Sequence, residues 1–158
     1  MDLPADTPLT ATALATAAVS VALASLVWWR RLARLDQLRR QVAAIRHLSR
    51  EVVHAPDAAG AGTRIEGELR RILGNPTIRA AMSLPGDGMQ NGERPRNPMK
   101  FPLMPDHPEK GALLIWAETG LELHPELREA LADLALHAAI ALEMREQRHL
   151  KEQVARGE

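Results

Sequence analysis

The segment Gly111–Glu152, GALLIWAETGLELHPELREALADLALHAAIALEMREQRHLKE, contains the strand and the helix that decide the fold. Its apolar run, Ala112–Trp116, lies between glycine and polar residues and has the length of a buried strand. We expect a helix to begin at Pro125, capped by His124, because proline suits the first helical position, where its missing N–H would have no partner. Apolar side chains then recur at helical spacing and define one face: Leu127, Leu131, Leu134, Ala138, Ala141 and Leu142.

This strand and helix resemble the C-terminal part of GAF domains, which are small-molecule-sensing or dimerising modules of bacterial signalling proteins. The resemblance is carried by Gly-x-Leu-x-x-Trp at 111–116, a short turn, and a helix with Leu-x-x-Leu-Ala at 131–135 and an Ala-rich exit. It is good over 111–146 and weaker over 63–84, and it implies an α+β fold in which helices flank an antiparallel sheet. The GAF-like domain predicted at 63–146 lacks the extra strands and the lid of the usual pocket, which favours a reduced domain kept for dimerisation or docking.

The amino-acid composition excludes several kinds of site. The 158 residues allow one domain and an accessory segment. No cysteine is present, which excludes disulfides, thiolate metal ligands and thiol nucleophiles. With three Trp, one Phe and no Tyr, aromatic residues are too scarce to build stacking platforms for nucleic acid. The six histidines form no close metal-ligand pair of the HExxH type, so we expect no metal, no cofactor and no catalytic residue.

An uncharged N-terminal run predicts a membrane anchor. Residues 1–8 form a short acidic tail, and residues 9–29, LTATALATAAVSVALASLVWW, are long enough to cross a bilayer as a helix. Trp28 and Trp29 end the run, and a cluster of arginines follows directly. Such a cluster predicts a single-pass protein of the inner membrane, with its N-terminus outside and the rest in the cytoplasm. A cleaved signal peptide would carry its positive charges before the apolar run, and a buried soluble helix is the other alternative.

A second helix is predicted at 30–54, directly after the anchor. Leu35, Leu38, Val42, Ile45 and Val52, with Ser49 as the one polar interruption, alternate at three- and four-residue spacing, as in the seam of a coiled coil. The seam is suited to pairing with a second copy of the chain. The same stripe is equally suited to packing on the domain that follows, and the sequence leaves both interpretations open. The excess of arginine could also contact anionic lipid headgroups.

The middle of the chain predicts a linker, a helix and two strands. Residues 55–62, APDAAGAG, favour a linker, and Thr63 with Glu66 has the spacing of a capping box for a helix at 64–73. Residues 77–84 and 99–104 are strand candidates. Pro102 places the second of them at a sheet edge, because proline cannot donate to a ladder. Residues 85–98 form a polar loop.

Together these patterns predict a membrane-anchored, non-enzymatic signalling or scaffold protein whose GAF-like domain mediates dimerisation or docking. The alternative is a small-molecule sensor with a ligand pocket between the sheet and the 85–98 loop. Residues 147–158, in which Leu150 and Val154 are four apart, resemble a coiled-coil exit helix and tail; because no output domain follows here, we expect a protein partner to supply the output. The expected partners are the lipid bilayer, a second copy and that protein, and not nucleic acid. The candidate core or interaction residues are Leu35, Leu38, Val42, Ile45, Trp116, Leu127, Leu131, Leu134 and Ala138.

Overall fold

The elements of the chain follow one another in the order helix, helix, strand, strand, strand, helix. The computed structural model describes residues 7–54, 58–86 and 96–157, the side chains of 7–10, 58 and 59 excepted. A short 3₁₀ turn at Pro108–Lys110 precedes the third strand. The main elements are α1 (Thr7–Val52), α2 (Ala58–Leu73), β1 (Arg79–Ser83), β2 (Met99–Pro102), β3 (Ala112–Trp116) and α3 (Pro125–Ala155). The predicted α+β class is confirmed.

The strands form an antiparallel sheet in the order β1-β3-β2, so β3 is central. Ile115 of β3 lies opposite Ala80 of β1 and Met99 of β2. Three consecutive β3 residues, Leu113–Ile115, are buried, which explains why this strand reads as a continuous apolar run. The predicted strand Ala112–Trp116 is confirmed at both ends, and β2 with Pro102 lies at an edge of the sheet as predicted.

The helices α2 and α3 supply most of the core around this sheet. α2 packs against β1, with Ile65 and Leu69 fully buried, and α3 packs against β2. The predicted apolar face of α3 is inside, since Leu127, Leu131, Leu134 and Ala138 are all buried. His124 caps α3 as predicted, its Nδ1 accepting a hydrogen bond from the Glu126 N–H at 3.4 Å. α3 then continues without a break to Ala155, which confirms the continuous exit helix.

The chain divides into two compact units, residues up to Arg39 and Arg40–Glu158. In the first unit, the apolar side chains of α1 are exposed, Leu14 by 72% and Trp29 by 73%. The hydroxyls of Thr16 and Ser20 donate to the carbonyls of Thr12 and Thr16, which satisfies these polar groups within the helix. Among the described residues, α1 is the one helix long and apolar enough to span a membrane.

In the second unit, the last turns of α1 are part of the core. Val42, Ile45, Leu48 and Val52 are buried, and the Gln41 amide donates to the Ile72 carbonyl at the end of α2. The predicted seam is therefore divided, because Leu35 is 54% exposed and Leu38 is half-buried in the first unit. For Val42, Ile45 and Val52, the structure supports packing on the domain over pairing between copies.

The predicted linker at 55–62 and the capping box are corrected. α2 begins at Ala58, so Thr63 lies inside the helix and does not cap it. The helix starts early because Ala61 and Gly62 are buried against β1; a Cβ on Gly62 would lie 3.6 Å from the Met82 nitrogen. Residues 55–57 of the predicted linker lie outside the described residues. α2 ends at Leu73, the predicted end of this helix, and Gly74 follows with a φ of +64°.

Candidate interaction surface

Most of the predicted interaction residues are interior residues of a single chain. Val42, Ile45, Leu127, Leu131, Leu134 and Ala138 are buried in the second unit, and Trp116 is half-buried at the end of β3. Their side chains already pack within the fold, so a partner could reach them only if the unit opened. Leu35 is the one strongly exposed residue of the predicted set. A docking surface on the folded unit would therefore have to consist of other residues.

A second apolar stripe runs along the outer face of α3. Ile140, Met144, Leu150 and Val154 are exposed by 45%, 48%, 57% and 78%. Residues of an α-helix are about 100° apart around its axis, so Ile140, Leu150 and Val154 lie roughly opposite the face that carries Leu134 and Ala138, and Met144 lies about 100° from that face. We call Ile140, Met144, Leu150 and Val154 the outer stripe. It gives α3 two apolar faces, one of which is covered by the core of its own chain.

None of the four residues of the outer stripe is among the predicted interaction residues. Leu150 and Val154 were recognised as an apolar pair in the exit helix, whereas Ile140 and Met144 were absorbed into the helix of the core. The signal that separates them is their position around the helix. Ile140 comes two residues after the core residue Ala138, and a step of two residues turns about 200° around the axis, onto the other side of the helix.

A hydrogen bond joins the end of α1 to the segment of α3 that carries the outer stripe. The Arg145 guanidinium donates from Nη2 to the Val53 carbonyl, 3.0 Å away and just past the last residue of α1. Unpaired carbonyls make the C-terminal end of a helix negative, and a cation is favourable there. Arg145 therefore joins these two helices on the side of α3 that carries the core, and the outer stripe stays open.

The densest group of charges joins α2 to β1. The Glu66 carboxylate binds Arg70 and Arg79, and it accepts a hydrogen bond from the Ala80 N–H at 3.0 Å. Arg70 Nε donates to the Ile78 carbonyl at 2.8 Å. β1 is an edge strand, and edge strands carry backbone groups that the neighbouring strand cannot pair. Glu66 and Arg70 satisfy two of the backbone groups in this part of the chain, which gives the cluster a structural role.

Several histidines of the described chain make side-chain contacts with residues near them in sequence. His47 pairs with Glu51 at 3.4 Å, His107 pairs with Glu109 at 3.1 Å, and His137 Nδ1 lies 2.7 Å from the Asp133 carbonyl oxygen. Over residues 7–54, 58–86 and 96–157, no group of three or more His, Asp or Glu side chains could hold a metal ion. These histidines therefore suggest no reaction chemistry.

The ligand pocket of the sensor alternative involves residues 85–98, of which 87–95 lie outside the described residues. That pocket stays a prediction. Comparison of the chain with models of protein families, with curated proteins and with solved structures finds no match. The resemblance to GAF domains is thus carried by the sequence motif alone. The candidate interaction site is the outer stripe of α3.

Proposed function

We propose that this chain is a membrane-anchored, non-enzymatic docking protein of the signalling or scaffold kind. The first part of α1 holds it in the bilayer, and the folded unit, Arg40–Glu158, presents the outer stripe to another protein. The observation that carries the proposal is the exposure of the apolar part of α1. Every side chain from Ala11 to Trp29 is exposed, although the run contains no charge.

The exposure of this helix favours a bilayer as its surroundings. Apolar surface left in water costs about 25 cal/mol per Å², and a helix that is apolar all round is stable only in a protein core or in lipid. The protein provides no such core here, because none of the apolar window of α1 is buried. Thr16 and Ser20 are compatible with lipid, since each hydroxyl donates to a carbonyl of its own helix.

The residues that end the span favour one orientation of the chain in the membrane. Trp28 and Trp29 would lie at the level of the headgroups, where aromatic side chains concentrate. The arginines that follow favour the cytoplasmic side, because positively charged flanks are retained there: Arg30, Arg31, Arg34, Arg39 and Arg40. The folded unit would then face the cytoplasm and the N-terminus would lie outside.

The outer stripe is the feature that supports the docking role. Large apolar residues such as Ile65, Leu113 and Leu131 are fully buried in the folded unit, yet the four side chains of the stripe are exposed along one helix. Apolar side chains that follow one helix face are a recurrent anchor pattern for partner helices. A protein partner that covers them would remove this apolar surface from water.

The test uses the full chain, which has no cysteine and so allows single cysteines to report sidedness. We expect the protein to float with vesicles and to resist extraction by alkaline carbonate. A Glu109→Cys variant, at a residue exposed in the folded unit, should react with a membrane-impermeant maleimide in inverted membrane vesicles and be protected in right-side-out ones. A cysteine inserted after Met1 should show the opposite pattern. Release by carbonate would refute the anchor, and reversed labelling would refute the orientation.

A further inference from the structure

We propose that the outer stripe binds the outer stripe of a second copy of this chain, with the two α3 helices parallel between Ile140 and Val154. The inference rests on the proposed function, because it names the partner of the docking surface. The pairing face includes two polar residues between the apolar ones, Gln147 and Lys151, and both are exposed.

The spacing along α3 is that of a coiled-coil seam. Ile140, Met144, Gln147, Lys151 and Val154 follow one another at steps of four, three, four and three residues. This alternation is the heptad pattern, with Met144 and Lys151 at the a positions and the other three residues at d. A lysine at one a position is a known device that fixes register and the number of strands at some expense of stability. The exposed part of α3 is therefore suited to a short two-stranded pairing.

The charges beside the seam decide the orientation of the two helices. Glu143 occupies a g position and Arg148 an e position, and both are exposed. In a parallel pair, a g residue lies beside the e residue five positions later on the other helix, so Glu143 of each copy meets Arg148 of the other. In an antiparallel pair, g lies beside g and e beside e. The other g residue is Leu150 and the other e residues are alanines, so only the parallel pair joins the opposite charges.

The alternative seam on α1 is less suited to a second copy. Val42 and Ile45, which would continue a seam from Leu35 and Leu38, are buried in the folded unit of the same chain. A second copy could use them only by displacing that core. The outer stripe needs no such opening, since its side chains are exposed along the whole segment.

Disulfide cross-linking of the full chain in lipid vesicles tests the pairing. Val154→Cys and Gln147→Cys each place a thiol at a d position, and parallel pairing brings the two copies of a d residue together. His149→Cys is the matched control, because residue 149 lies on the side of α3 that faces away from the seam. In an antiparallel pair, the two copies of residue 154 would be separated by roughly 15 Å or more along the axis, which is beyond the reach of a disulfide. We expect oxidation to produce dimers of the two seam variants and few of the control.

Exchange of the flanking charges tests the orientation further. In the Val154→Cys background, Glu143→Arg or Arg148→Glu alone should lower the yield of dimer by roughly three- to fivefold, as expected for two exposed pairs. The double variant should restore the yield, because the exchanged charges pair again. Equal cross-linking at positions 149 and 154, or failure of the double exchange to restore it, would overturn the inference.

Flotation of the same vesicles separates this inference from the proposed function. Protein that floats but gives no dimer at positions 147 and 154 refutes the second copy and leaves the anchor standing. Protein that does not float refutes the anchor itself. A cross-link from position 154 to a different polypeptide would support the docking role but overturn the second copy as the partner. Protection of the stripe by lipid alone would also overturn the second copy as the partner.

Discussion

Among the glycines compared in the described residues, Gly111 leaves the least space for an added Cβ. Its φ is +125°, and a Cβ added there would lie 2.5 Å from the Ser83 carbonyl oxygen. That oxygen belongs to β1, which is held in register with β3 by the pairing of Ser83 with Ala112. Because neither backbone can withdraw without opening the sheet, we expect Gly111→Ala to lower the free energy of unfolding by about 2–4 kcal/mol. Urea unfolding in detergent, followed by Trp116 fluorescence with Trp28 and Trp29 replaced by Phe, measures the loss.

Gly67→Ala is the matched control for this variant. Gly67 lies inside α2, is exposed, and has no atom within 4 Å of the position of an added Cβ. Alanine is favoured over glycine in a helix interior, so this substitution should raise the free energy of unfolding by about 0.5–1 kcal/mol. If both variants shifted the unfolding midpoint in the same direction, the strained position assigned to Gly111 would be wrong.

Glu66 supports a second prediction at the residue scale. Its side chain is 19% exposed, and it binds two arginines and the Ala80 N–H. Glu66→Ala removes all three contacts and leaves a backbone donor of β1 unpaired, so we expect a loss of about 1.5–3 kcal/mol, the range for hydrogen bonds to charged groups. Glu68→Ala is the comparison, because Glu68 binds Arg71 on the exposed side of α2 and should cost less than about 1 kcal/mol. Comparable losses in the two variants would contradict the role assigned to Glu66.

At the scale of elements, the end of α1 belongs to the folded unit. Ile45 is completely buried, whereas Leu35, on the same helix, is 54% exposed. We expect Ile45→Ala to cost about 2–5 kcal/mol of unfolding free energy, because it leaves a cavity in the core. Leu35→Ala should change it by less than about 0.5 kcal/mol. Hydrogen exchange of the α2 and β3 amides would show the difference, and accelerated exchange in Leu35→Ala alone would refute this division of the helix.

The elements differ in how far sequence could predict them, and the reason is the range of the contacts that form them. β3 was predictable because a short apolar run between Gly111 and the polar residues from Glu118 onward leaves little choice. The start of α2 was not, since Ala58–Gly62 lacks periodicity and the burial of Ala61 and Gly62 against β1 depends on residues about twenty positions later. For the interaction site, Leu150 and Val154 stood out in a polar tail. Ile140 and Met144 did not, because both faces of α3 are apolar there and only the position around the helix axis separates them.

At the scale of the whole molecule, the proposed pairing depends on the membrane. The seam from Ile140 to Val154 covers about two heptads, and short helical pairings are marginal in water. Anchoring both copies in one bilayer raises their effective concentration, so a weak seam can suffice. We therefore expect the fragment Arg40–Glu158, which is a compact unit by itself, to be monomeric at micromolar concentration, in contrast to the full chain in lipid.

Strengthening the seam should make the anchor dispensable for pairing. Lys151 lies at an a position, and Lys151→Leu would replace a charge in the seam by an apolar side chain that the second copy can bury. In the fragment Arg40–Glu158 we expect this variant to dimerise, as measured by sedimentation equilibrium, with circular dichroism to show that the fragment is folded. His149→Leu adds the same side chain on the other side of the helix and should leave the fragment monomeric. Dimerisation by both variants would indicate adhesion of any added apolar surface, and dimerisation by neither would mean that this face of α3 is not where two copies meet.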